Sequence, residues 1–194
     1  MNACQSKIEL VFEESITRRR ALVIAPLAAG GCAVLLLRPQ SNDSNVDVRI
    51  VEFEDSGRKL AAVFHKKVAH ADNVWRRQLT SQQYWSARRG TTDTPFTGTY
   101  YRSVATGLYR CVCCGNALFS SATKFDSATG WPSYTSPVAA ENIYTQPDNS
   151  LLMHRTEVLC RLCDAHLGHV FDDGPPPTGL RYCINESALR FISS

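Results

Sequence analysis

A mainly β fold with two short helices in front is what this sequence predicts, and three observations carry the prediction. From residue 91 onward, short apolar runs alternate with stretches rich in Gly, Pro, Ser and Thr, as expected of short strands joined by turns. Two segments just before that region couple a capping residue to a body of helical length. Ahead of them, two alternating segments flank a turn, the pattern of a hairpin. No internal repeat of solenoid period is present.

In chain order, residues 1–20 are polar and end in TRRR. Residues 21–37, ALVIAPLAAGGCAVLLL, carry no charge and are closed by Arg38 and Pro39. Basic residues followed by an apolar run and small residues form a secretory signal pattern. The arginine cluster after a long polar lead matches the twin-arginine variant, although Ala21 stands where a large apolar residue is usual. Three fates fit. The chain can be cleaved after Ala29, Gly30 and Gly31; it can be acylated at Cys32 within AAGGC; or the segment can stay as an anchor. As a helix it would reach about 26 Å, somewhat short of the roughly 30 Å hydrocarbon core. A buried helix of the domain is a poorer reading, because no polar face alternates with the apolar one. Residues 1–37 are therefore expected to export the protein to a periplasm-like compartment or to hold it at the membrane.

Residues 38–67 are expected to be a linker, SNDSN, and a lead-in hairpin. VDVRIVEF alternates as a strand, DSG turns, and AAVFHKKV returns. Asp72 is expected to cap a short helix over VWRRQL, and Thr80 a second over SQQYWSARR. Strand-like runs follow in ENIYT, LLMHRTEVLC, LGHVF and ALRFI.

A chain of 194 residues suits one sizeable domain plus an extension. Its apolar fraction of 44% and charged fraction of 20% are ordinary for a globular protein. The net charge of +3 is small and dispersed, which excludes the concentrated basic face of a nucleic-acid binder. Eight cysteines, too few for a disulfide-dense scaffold, ask for a metal site, redox chemistry or both. Cys111/Cys114 and Cys160/Cys163 form two C-x-x-C pairs, which together supply a closed tetrahedral thiolate shell for a structural zinc. Two redox or disulfide pairs are the alternative, and His166 or His169 as a zinc ligand is another. Cys113 is left over inside the first knuckle.

The remaining thiol of the C-terminal half stands in RYCIN. Cys183 has Arg181 two residues away, which favours a thiolate, the nucleophilic form. His166 and His169 lie upstream as candidate acids, and GWPSY offers Trp131 as the wall of a small pocket.

Together these segments resemble the B-type peptide methionine sulfoxide reductases, which act on the R epimer. The matching stretches are FTGTYY, GLYRCVCCGNALF, KFDSATGWPSY, HRTEVLCRLCDAHLGHVFDDGPPPTGLRYCIN and ALRF, so the resemblance covers residues 68–194. It implies two antiparallel sheets leaning together, with a structural zinc held by Cys111, Cys114, Cys160 and Cys163. It implies Cys183 as nucleophile, with His169 as acid and His166 and Asn185 as its hydrogen-bond partners. Trp131 would pack on the substrate methyl group, beside Arg181. Oxidised proteins or peptides are the implied substrate, and a thioredoxin-like dithiol the reductant of a monomeric enzyme without nucleic acid. Two positions depart from the family. Thr129 stands where many members carry a cysteine that resolves the sulfenic acid, and Glu186 follows Asn185 where a small residue is common. A zinc-stapled binding module and a zinc ribbon are the competing classes; neither needs a nucleophilic Cys183.

Overall fold

The computed structural model describes residues 44–150 and 153–194. The expected signal or anchor, with Cys4 and Cys32, lies outside the described residues, as does most of SNDSN. Among the described residues, no helix is long and apolar enough to cross a membrane.

The lead-in hairpin forms as predicted, from β1 (Asp47–Phe53) and β2 (Lys59–Lys66). Alternation places Val48 and Ile50 in the core, whereas β2 is largely exposed. Two helices follow, α1 (Asp72–Gln78) and α2 (Ser81–Arg89). Thr80 caps α2 as expected, accepting from the Gln83 amide while the Gln83 side chain accepts from the Thr80 amide. Asp72 does not cap α1. Ala71 occupies the cap position, and Asp72 sits in the first turn, where its carboxylate accepts from Arg76, Tyr84 and Arg89. Three donors converging from both helices bind it more firmly than one backbone amide would.

The rest of the chain builds two sheets. Order β11-β3-β4 gives the smaller, from β3 (Gly107–Cys111), β4 (Ala117–Ser120) and β11 (Leu189–Ser193). The larger has six strands in the order β5-β6-β10-β9-β8-β7. They are β5 (Lys124–Phe125), β6 (Ser133–Tyr134), β7 (Ile143–Asp148), β8 (Arg155–Cys160), β9 (His166–Phe171) and β10 (Arg181–Ile184). All pairings are antiparallel. Pro147 is tolerated because β7 is an edge strand, where a missing amide breaks no central ladder.

Both sheets feed one core. Tyr109 and Phe119 of the smaller sheet join Tyr134, Val158, Leu167 and Ile184 of the larger in a single buried cluster. Phe119 stacks on Tyr134 with ring centroids 4.5 Å apart, and Tyr109 meets Tyr134 edge-on at 5.3 Å. Each such pair adds about 1 kcal/mol to the burial of its rings. The two sheets thus lean together as the resemblance implied. Asn142, fully buried, accepts from the Val51 amide and donates to the carbonyls of Val51 and Ala117. It fastens the hairpin to the smaller sheet by satisfying backbone groups that no ladder reaches.

Candidate active site

Cys183 lies on β10, between β6 and β9. Its directly opposed neighbours are Ser133 and His169. Opposed residues project to the same face of an antiparallel pair, so strand register alone brings the thiol and imidazole together. Close approach of the two strands requires glycine at position 168, because a Cβ there would lie 2.1 Å from the Cys183 carbonyl oxygen. A cleft of about 130 Å³ opens at this point, walled by Trp131, His169, Cys183, Asn185, Arg155 and Phe171.

Of the residues singled out from sequence, Cys183, His169, Asn185 and Trp131 all line the cleft. His166 stands behind it, its ring 5.5 Å from that of His169. Neither His166 nor Asn185 is the hydrogen-bond partner of His169 that the resemblance implied. His166 pairs through Nδ1 with the buried carboxylate of Glu157 at 2.5 Å. The Asn185 side-chain oxygen accepts from the Asp93 amide at 2.9 Å, holding the loop whose Asp93 carbonyl accepts from the Trp131 indole. His169 instead meets Asp148, Nε2 to Oδ2, at 2.8 Å.

Asp148, Glu157 and Arg155 were missed in the sequence. Arg155 donates to the same Asp148 oxygen at 2.7 Å, and the Ser150 amide to the other oxygen. Burial alone would raise the Asp148 pKa, but the hydrogen bonds from Ser150 and His169 and the Arg155 charge outweigh it. The carboxylate is held well below the usual range. Since an ionised carboxylate only accepts, Nε2 of His169 carries the proton and Nδ1 is left as the basic nitrogen. Burial lowers the His169 pKa, Asp148 raises it, and His166 and Arg155 lower it again. The net direction is down, so the resting ring is neutral near pH 7.

Arg181 does less for Cys183 than its position suggested. Its guanidinium makes two 2.8 Å bonds to Asp173 and lies over the Phe171 ring. Burial pushes the Cys183 thiol up, and Arg181 and a hydrogen bond from Thr129 only partly offset this. The resting group is a thiol.

The four knuckle cysteines come together at the other end of the domain's strands, in the turn after β3 and the turn after β8. Their sulfur atoms all lie within 4.8 Å of one another, with Cys111 to Cys163 and Cys114 to Cys160 both at 3.6 Å. A tetrahedral zinc with bonds of about 2.3 Å requires edges of roughly 3.8 Å, so the quartet fits that ion. Neither histidine joins it. Asn116 donates to Cys160 Sγ and to the Asn142 carbonyl, tying the quartet to the buried polar hub.

The model of the SelR domain matches residues 79–193. The chain belongs to the SelR family, the B-type peptide methionine sulfoxide reductases. Among curated SelR-type relatives, the peptide methionine sulfoxide reductase MsrB of Hahella chejuensis is 55% identical over 128 residues, covering 66% of this chain and 92% of that protein. The chloroplastic B1 enzyme of Oryza sativa subsp. japonica is 55% identical over 120 residues, 61% of this chain and 56% of its own length. MsrB of Pseudomonas aeruginosa is 53% identical over 118 residues, 61% of this chain and 89% of that protein. Membership of the SelR family makes this chain an oxidoreductase.

Proposed function

We propose that the chain reduces methionine (R)-S-oxide in proteins or peptides to methionine, with Cys183 as nucleophile and a sulfenic acid as the product left on the enzyme. The observation that carries this reading is the opposed pair of Cys183 thiol and neutral His169 in one cleft against Trp131. His169 takes the thiol proton, and the resulting imidazolium protonates the sulfoxide oxygen as Cys183 sulfur attacks the sulfoxide sulfur. The S–O bond breaks with its electrons on the protonated oxygen. That oxygen bonds to the Cys183 sulfur as the new S–S bond breaks, its electron pair returning to the methionine sulfur, so Cys183 is left as S–OH and methionine departs. Asp148 orients the ring and stabilises its charged form, as a carboxylate does in a catalytic triad. Trp131 closes the apolar side against the substrate methyl group. A thioredoxin-like dithiol then attacks the sulfenic sulfur, releasing water and forming a mixed disulfide, which its second thiol resolves to restore Cys183. Zinc on Cys111, Cys114, Cys160 and Cys163 supplies folding energy and takes no part in these steps.

The reductase domain comprises residues 68–194 of a monomer, and residues 1–37 direct it out of the cytoplasm or to the membrane. Recovery of the full-length chain as a soluble cytoplasmic species in its host would refute that placement. The activity is tested with both epimers of a dabsylated methionine sulfoxide and dithiothreitol. The R epimer should be consumed and the S epimer spared, and Cys183→Ser should abolish turnover while keeping the fold. Measurable turnover by the serine variant would remove Cys183 from the mechanism.

A further inference from the structure

Phe96 has a backbone that its side chain should reject. Its φ is +64°, in the left-handed region where a bulky residue is rarely found. Ala128 and Asp164, the other non-glycine residues with positive φ among those described, are small or tolerant of that conformation. Phe96 is also 56% exposed, so burial of its ring does not compensate for the strain. The surroundings hold it there. Its amide donates to the Gly130 carbonyl at 3.0 Å, and a Cβ on Gly130 would lie 2.9 Å from the Phe96 ring. A few residues on, the Glu186 carboxylate accepts from the amides of Thr99 and Tyr100 at 2.8 and 2.6 Å. The residue that departs from the family pattern therefore anchors the loop that presents Phe96. An exposed aromatic, edge-on to Tyr101, is thus held against Gly130, the chain neighbour of Trp131.

Trp131 is a wall shared by two cavities. One is the small cleft with Cys183. The other, about 350 Å³, is framed by Gln82, Asp93, Thr94 and Thr97 on the side of the Phe96 loop. An unbranched oxidised side chain fits the first. The Asp93 carboxylate there is already held by Gln82 and Ser187, while the Thr94 hydroxyl and the Gln82 side-chain carbonyl face the groove as polar groups suited to a peptide backbone. We propose that Phe96 and this groove form an accessory subsite for the polypeptide flanking the oxidised methionine, with the Phe96 ring packing on an apolar neighbouring side chain. The subsite then selects sulfoxides that have an apolar neighbour in sequence. This rests on the sulfoxide reductase reading and specifies its substrate.

The test compares kcat/KM for free methionine (R)-sulfoxide and for two flexible peptides with the sulfoxide flanked by leucine or by serine. Phe96→Gly suits the left-handed backbone, so the loop keeps its path and only the ring is lost. The leucine peptide should exceed the serine peptide by roughly tenfold in the natural chain, and Phe96→Gly should erase that ratio. Phe96→Tyr should retain it. An equal loss on all three substrates, or an unchanged ratio, would overturn the subsite. Calorimetric titration of the full chain with the unoxidised leucine peptide reads the same subsite without chemistry. Binding weakened by Phe96→Gly supports it, and equal or absent binding in both proteins counts against it. Failure of the natural chain to reduce any sulfoxide would count against the reaction, leaving this titration to decide the subsite.

Discussion

Cys183 and His169 face each other with their acidities displaced in opposite directions, and both displacements begin with burial. Burial favours the neutral form of each, so the pair rests as thiol and imidazole and becomes an ion pair only when a proton moves between them. Alkylation of Cys183 by iodoacetamide in the free enzyme should therefore have its midpoint above the ordinary thiol value of 9.0, and Arg181→Ala should move it higher still. A midpoint near neutrality would mean that Arg181 outweighs burial. For His169 the folded pKa lies below the ordinary 6.5, so its contribution to stability is complete above that value. It is lost as pH falls through the depressed folded value. Asp148 behaves likewise in a more acidic window, below its ordinary 3.8. Asp148→Asn removes the acceptor that fixes the His169 tautomer. It should lower kcat on the order of a hundredfold or more, with a smaller change in KM. Unchanged kcat would show that the ring needs no such anchor. From sequence, Cys183 and His169 were legible because their chemistry is rare and their motif specific. Asp148 was not, since a lone aspartate before a loop carries no signal until strand pairing brings it beside a histidine.

At the scale of elements, the chain's alternation located β1, β8, β9 and β11, and the cap at Thr80 located α2 to its ends. The strands β3 and β4 were not singled out, and the short strands β5, β6 and β10 also escaped notice, two of these three because two residues cannot establish a period. Those are nonetheless the strands that place Ser133 and Cys183. The knuckles were legible for a different reason, that a C-x-x-C turn states its own geometry. They join turns from two different sheets, so metal binding there is long-range cross-linking of the fold. Removing zinc with a strong chelator, or changing any one of the four ligands to serine, should lower the melting temperature sharply. In the same experiment one zinc per chain should be measured by elemental analysis before treatment. A metal-free preparation that melts at the same temperature would refute the structural role. The six-stranded sheet carries both the active site and one knuckle, and activity should fall with unfolding rather than ahead of it.

At the scale of the whole molecule, the proposed mechanism requires a thiol to meet the sulfenic acid on Cys183. The position where the family resemblance implies a resolving cysteine in many members is Thr129, whose hydroxyl bonds that of Ser127 and helps hold the Cys183 pKa down. Among the described residues, hydroxyls and no second sulfur lie beside Cys183. Cys113 belongs to the knuckle, partly buried against the cluster of Trp75, Leu79 and Tyr84. To reach Cys183 it would have to leave that packing and distort the adjoining ligands, given the narrow Cα separation a disulfide accepts. Cys4 and Cys32 precede the domain, in the segment expected to be cleaved, acylated or held in a membrane. On the proposed mechanism, direct attack by an external dithiol is the remaining route, and it is bimolecular, so turnover should rise with reductant concentration. Mass spectrometry after one equivalent of substrate without reductant should find Cys183 trapped by dimedone as the sulfenic acid. In Thr129→Cys the thiol replaces a hydroxyl that influences the acidity of Cys183, and the same treatment should give an internal disulfide in place of the dimedone adduct. A stoichiometric Cys113–Cys183 bond in the natural chain, formed with metal retained, would show instead that the knuckle yields its spare thiol and that regeneration is internal.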